Sequence, residues 1–297
     1  MKRWSLLASA VSLCALLAAG CSTLDERQRE WIFQPSDRSW GNSAAMTDGM
    51  KDVWIDFRSS VNGQPARLHG LWLGQEPHSP DTPVLLYLHG ARYNVAGSAP
   101  RIRRMHELGF AVLAIDYRGF GKSSRGLPSE DSAREDARAA WIWLAARYPR
   151  QHRYIFGHSL GGAIGIDLAA HVQDESGTIV EGTFTSMSDV VGSFKWGWLP
   201  FGPFITQRFE AIRKVKDIGA PLLVVHGAND SLINPTLGRK LYEAATVPKQ
   251  FVLVENGSHH STNTVGALQY RTALAQLFRM KPPGSPVEVA RVSSTGD

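Results

Sequence analysis

The sequence holds only two cysteines in 297 residues, Cys14 and Cys21. No thiol lies beyond position 21. That excludes a disulfide framework, a thiolate metal site and a cysteine nucleophile from the body of the chain. Charge of one sign is also scarce. Lys and Arg number 32 against 27 Asp and Glu, a formal balance of +5. No long basic run and no nucleic-acid module occurs, so a nucleic-acid partner is not expected. The apolar stretch from Trp4 to Ala19 is sixteen residues, short of the roughly 20 that a membrane-spanning helix needs. With 28 glycines and 16 prolines the chain is neither collagenous nor of low complexity. What is there is ordinary globular material: 43% hydrophobic and 20% charged residues. The length fits one large domain with tails.

The first twenty residues read as an address. Lys2 and Arg3 precede an uncharged stretch from Trp4 to Ala19, and small residues Ala18-Ala19-Gly20 lead to Cys21. A charged start, a short apolar run and small residues before a cut describe a secretory signal, here residues 1–20. The cysteine directly after them resembles the lipobox of bacterial lipoproteins. That resemblance implies a thioether-linked diacylglycerol on Cys21, cleavage before it and acylation of the new amino group. Ser22 in the next position implies outer-membrane sorting, with the domain facing the periplasm. Several acyl chains on one residue give stable anchoring that one chain does not. Residues 21–49 are read as a polar, irregular tether, docked on the domain edge by the apolar knot Trp31-Ile32-Phe33.

From residue 50 onward strands alternate with helices. Val53–Phe57 and Leu68–Leu73 alternate in polarity and read as antiparallel strands joined at Asn62-Gly63. Val84–Leu88 and Ala111–Ile115 are solid apolar runs, the mark of buried strands. Further strands are expected at 154–156, 178–184, 222–226 and 250–254. Helices are expected near 99–108, at 129–148 with Ser129 as N-cap and Pro149 as stop, at 160–172, as a pair within 187–218, at 235–245 and at 262–279. Residues 281–297 are rich in Pro, Gly and Ser and are expected to be disordered. Such alternation implies an α/β fold, a mostly parallel sheet covered on both faces. Reactive groups then belong just past the carboxyl ends of the strands.

Four strand ends carry chemistry. Gly157-His158-Ser159-Leu160-Gly161 fits G-x-S-x-G between a buried strand and a helix, the tight turn that exposes a serine. Serine alone is a poor nucleophile and needs a base and an orienter for that base. Asp230 follows strand 222–226, and His259 and His260 follow strand 250–254. The order Ser, acid, His is the one expected on this fold. Asp189, past the preceding strand, is an alternative acid. Gly119-Phe-Gly-Lys-Ser123 is not a phosphate loop, because the pattern requires glycine where Asp116 stands. His259-His260 lacks the helical partner and third ligand of a zinc site.

Together these pieces resemble the α/β-hydrolase-fold serine hydrolases over about residues 50–280. The matching motifs are Leu88-His89-Gly90, Asp116–Gly121, the Ser159 turn, Gly182–Ser186, Pro221–Asp230 and Glu255–His259. Within the fold the chain is most similar to lysophospholipase-like and depalmitoylase-like enzymes with a small cap, here about 187–218. The resemblance implies Ser159 as nucleophile, Asp230 as orienting acid and His259 as base, four residues past Glu255. His260 would need a one-residue shift. It implies backbone N–H groups of Ala91 and Leu160 as oxyanion donors, with His89, His158 and His226 as packing residues. No cofactor or metal is expected. Met187, Phe194, Trp196, Trp198, Leu199, Phe201 and Phe204 offer an apolar wall for an acyl chain. The implied activity is hydrolysis of carboxylic esters through an acyl-enzyme. A peptidase, an amidase, an acyltransferase and a non-catalytic binding lipoprotein stand as alternatives.

Overall fold

The apolar runs of the sequence become the centre of one sheet. In the computed structural model Val84–Leu88 (β3) and Ala111–Ile115 (β4) are buried at every position. The structure describes residues 22–36, 43–75, 79, 81–194 and 202–280. The expected signal, Cys21 and the C-terminal tail lie outside these residues, as do parts of the tether and of the cap.

The remaining strands are Lys51–Arg58 (β1), Pro65–Leu73 (β2), Arg153–His158 (β5), Gly177–Glu181 (β6), Leu222–Gly227 (β7) and Lys249–Val254 (β8). The sheet has eight strands in the order β1-β2-β4-β3-β5-β6-β7-β8. β1 pairs antiparallel with β2, and β2 antiparallel with β4. All other pairings are parallel. Side chains alternate across the sheet with a period of two. Leu86, Leu88, Leu113, Ile115 and Val224 face one core, while Leu85, Tyr87, Val112, Ala114 and Val225 face the other.

Helices Ala99–Glu107 (α3) and Ala267–Phe278 (α10) cover the second face through Ile102, Met105, Tyr270 and Leu274. Glu130–Arg147 (α4), Leu160–Ala169 (α5) and Pro235–Ala244 (α8) cover the first. α4 starts as its sequence predicts. The Ser129 hydroxyl accepts from Ser132 N–H at 3.1 Å, and the Ser132 hydroxyl accepts from Ser129 N–H at 2.8 Å. This reciprocal pair satisfies two donors that a bare helix start leaves open.

Three expectations change. The segment read as an irregular tether is helical over residues 22–33 (α1), followed after a gap by the short Ser43–Met46 (α2). α1 does not merely touch the domain edge. Phe33 is fully buried, edge-on to Phe120 and Phe209 with ring centroids 6.4 and 5.8 Å away. Strand 178–184 stops at Glu181, because the chain turns at Gly182 with φ 57. The helix expected at 262–279 is two pieces, Thr262–Val265 (α9) and α10, joined at Gly266. Any side chain at Gly266 would stand 2.6 Å from Val254 on β8, so the break is set by close packing. The cap region holds Met187–Gly192 (α6) and Ala211–Lys214 (α7). Among the described residues no helix is long and apolar enough to cross a membrane.

Candidate active site

The centre of the site is a strained serine. β5 runs directly into α5, and Ser159 at the junction has φ 55 and ψ −121. L-residues avoid that region unless the surroundings enforce it. The enforcement is visible. Ser159 N–H donates to the Glu181 carbonyl at 2.9 Å, and its own carbonyl accepts from the Thr183 hydroxyl at 2.8 Å. The flanking glycines let three backbones meet. A Cβ on Gly161 would lie 2.1 Å from the Leu88 carbonyl oxygen, and one on Gly157 would lie 2.2 Å from that of Gly161. The serine is thereby pressed toward the end of β3, where a Cβ on Gly90 would stand 3.1 Å from the Ser159 Cβ.

The loops after β7 and β8 bring a carboxylate and an imidazole together. His259 Nδ1 lies 2.8 Å from Asp230 Oδ2, and both residues are buried. Asp230 Oδ1 accepts the N–H groups of Leu232 and Ile233 at 2.9 and 2.8 Å. His226 Nε2 lies 3.3 Å from Oδ2 and donates to the Ile233 carbonyl at 3.0 Å. Burial alone would raise the Asp230 carboxyl. The hydrogen bonds from His226 and His259 and the His259 charge outweigh it and hold the group well below the usual carboxylate range. Asp230 therefore stays ionised at any pH near neutrality. An ionised acceptor fixes the proton of His259 on Nδ1 and leaves Nε2 with its lone pair.

The other candidates fall elsewhere. His260 is exposed, edge-on to His259 with centroids 5.3 Å apart. The Asp189 carboxylate accepts the hydroxyls of Thr185 and Ser186 at 2.5 and 2.9 Å at the start of α6. His89 is buried against Tyr117 and Phe120. Ala91 and Leu160 line the same pocket as Ser159 and His259. Among the described residues no group of three or more His, Cys, Asp or Glu is arranged to hold a metal ion.

Two supports were not foreseen. His158 is more than packing: its Nε2–H donates to the His259 carbonyl at 3.1 Å, and the two rings are 4.9 Å apart. Burial, then the charges of Arg101 and His259, push its pKa well below the usual imidazole value. It is a neutral donor under His259. Behind it Arg101 Nε binds Glu181 Oε1 at 2.8 Å, and the Tyr270 hydroxyl binds the other oxygen. Arg101 also reaches the His260 carbonyl at 3.3 Å. This buried pair thus grips both the turn that holds Ser159 and the loop that holds His259.

The pocket above these groups has a cavity volume of about 160 Å³. Its walls include Ile32, Phe184, Met187, Val190, Leu232 and Ile233, with Trp31, Arg92, Phe194 and His260 also at its edge. Of the cap residues expected to form an acyl wall, Met187 and Phe194 line the pocket, and Phe204 is described as exposed. Trp196, Trp198, Leu199 and Phe201 lie outside the described residues.

The comparisons with known proteins agree with this architecture. The model of the family described as "Serine aminopeptidase, S33" (Hydrolase_4) matches residues 79–201. An uncharacterized protein of Mycobacterium tuberculosis is 30% identical over 254 residues, covering 84% of this chain and 87% of that protein. The chain belongs to this α/β-hydrolase family. The Danio rerio lysophosphatidylserine lipase ABHD12 is 31% identical to this hydrolase over 186 residues. That match covers 56% of the chain and 48% of the lipase, so the chain spans about half of that relative's length. An esterase of Pyrococcus furiosus superposes with a TM-score of 0.64 at 20% identity, covering 84% of the chain and 97% of the esterase. The hydrolase is a serine hydrolase with the eight-stranded sheet of that fold.

Proposed function

We propose that this serine hydrolase cleaves carboxylic esters with apolar acyl groups, using Ser159, His259 and Asp230. The observation that carries the reading is the 2.8 Å contact between His259 and an ionised Asp230 in the pocket that also holds the strained Ser159. His259 Nε2 takes the Ser159 proton as the hydroxyl oxygen attacks the acyl carbon. The N–H groups of Ala91 and Leu160 hold the oxyanion. Collapse of the tetrahedral adduct breaks the bond to the alcohol, which leaves with the proton from His259. Water then attacks the acyl-enzyme with the same base, returning Ser159 and releasing the acid.

The pocket favours an ester over a peptide with a free N-terminus. Among the described residues none of its lining side chains is acidic, and Arg92 stands at its edge. A substrate ammonium would meet no carboxylate there and would face that cation. The aliphatic and aromatic walls suit an acyl chain. The name of the ABHD12 relative, a lysophosphatidylserine lipase, points to the same bond type. We expect p-nitrophenyl esters from acetate to octanoate to be turned over, with kcat/KM at least 100-fold above that for aminoacyl p-nitroanilides. Equal or better anilide cleavage would replace the esterase reading with a peptidase one. Transfer of the acyl group to added alcohols in preference to water would replace it with an acyltransferase.

The proposal extends to location. The signature ending at Cys21 supports a lipid-anchored enzyme of the bacterial envelope, in the outer membrane and facing the periplasm. Cells fed labelled palmitate should label the wild-type chain and not Cys21→Ser. Equal labelling of both would remove the anchor.

A further inference from the structure

α1 lies outside the matched family segment and outside the sheet, yet it reaches the loop that carries Ala91. That loop joins β3 to α3 through Arg92 at φ 71 and Tyr93 at φ 60. Two successive non-glycine residues in the left-handed region do not hold themselves there, since each crowds its own backbone. Neighbours must fix them. The neighbour is the end of α1. Arg92 N–H donates to the Phe33 carbonyl at 2.8 Å, and Pro35 bridges to Tyr93. The Phe33 carbonyl is itself immobile, because its ring is buried between Phe120 and Phe209. Outside bonds complete the clamp. Gln28 Nε2 donates to the Phe204 carbonyl at 2.7 Å and Gln28 Oε1 accepts Thr206 N–H at 2.9 Å. Arg29 Nε donates to the Pro128 carbonyl at 2.9 Å, and its guanidinium also reaches the Leu127 carbonyl.

We propose that the end of α1 is a strap that holds the Ala91–Tyr93 loop in its bent shape, with Phe33 as a positioning residue for the oxyanion N–H of Ala91. The proposal rests on the reading of Ala91 as an oxyanion donor. The peptide groups of residues 91–93 are consecutive, so relaxation of Arg92 and Tyr93 out of the left-handed region swings the adjoining amides. A donor displaced by about 1 Å loses much of its effect on rate, on the order of 100-fold. The end of α1 also lends Trp31, Ile32 and Gln34 to the pocket lining, beside the walls from α6 and the Leu232 loop. Loss of the strap therefore lowers kcat through the displaced donor, whatever the shifted wall does to KM.

The test compares the full-length wild type with Phe33→Ala, Phe33→Leu and the double variant Gln28→Ala/Arg29→Ala. Each is assayed on p-nitrophenyl butyrate well below its own melting midpoint, beside amide hydrogen exchange of a peptide spanning 89–95. We expect Phe33→Ala to lose at least 10-fold in kcat and to exchange the Arg92 amide at least 10-fold faster. Phe33→Leu should recover most of both. The double variant changes no core side chain, so it carries the test if Phe33→Ala fails to fold. It should move kcat and exchange in the same direction. Faster exchange with unchanged kcat overturns the proposal, because the strap would then be architecture alone. Unchanged exchange overturns it as well. A folded wild type with neither turnover nor labelling by a fluorophosphonate sinks the esterase reading itself, and the catalytic role of the strap with it.

Discussion

Replacing Ser159 by alanine is expected to lower kcat/KM for esters by about 10⁴- to 10⁶-fold, the range seen when a triad nucleophile is removed. The melting temperature should hold within about 2 °C, because the change deletes one atom and few contacts. The main-chain bonds that fix the turn are untouched, since Glu181 and Thr183 hold the backbone of residue 159 and not its hydroxyl. Residual hydrolysis would come from the N–H donors and from water in the pocket. The measurement is steady-state ester turnover beside fluorophosphonate labelling, with circular dichroism as the control for folding. Alanine protein that keeps a tenth of the activity, or that still takes the label, would show that another residue attacks.

The second large effect is on stability. Arg101→Met should destabilise the protein by about 3–5 kcal/mol, because it strands a buried carboxylate without its cation. Glu181 is fully buried, and Arg101 is its ion-pair partner at 2.8 Å. For a domain of this size that corresponds to a fall of roughly 6–20 °C in melting temperature. Adding Glu181→Gln should return most of it, since an amide tolerates the loss of the cation and can still bond Tyr270. Denaturant unfolding of the wild type, both single variants and the double variant gives the coupling directly. A cost below about 1 kcal/mol for Arg101→Met would mean that water or a shifted side chain neutralises Glu181, and the role of this pair behind the site would fall.

The contrast between these residues explains what the sequence could and could not reveal. The Ser159 turn is legible because its whole geometry lies within five residues between a buried strand and a helix. Asp230 and His259 are legible because each sits just past a solid apolar strand, where this kind of sheet keeps its chemistry. The strands themselves show as apolar runs or as alternation, and most boundaries follow within a residue or two. Arg101, Glu181 and Tyr270 have no such signature. They lie on three separate elements and meet only through the tertiary fold. The bond from His158 to the His259 carbonyl spans 101 positions. A histidine beside a nucleophile reads as packing until that partner is in place. α1 was hidden for a related reason. Its sequence is polar apart from a few residues, and it is fixed by burying Phe33 and by side-chain bonds to distant carbonyls. The break at Gly266 depends on where Val254 stands, which no local pattern encodes.

The placement of His259 after β8, the last strand described, has a consequence for biosynthesis. Ser159 and its turn lie near the middle of the chain, whereas His259 follows β8 and Tyr270 sits on α10, the last helix described. A nascent or prematurely ended chain can form the serine turn long before it owns a base to activate it. On the proposed triad, such a fragment would lack its base and keep only the weak residual rate. With His259 as the proposed base, full reactivity would come in one step, when β8 and α10 dock.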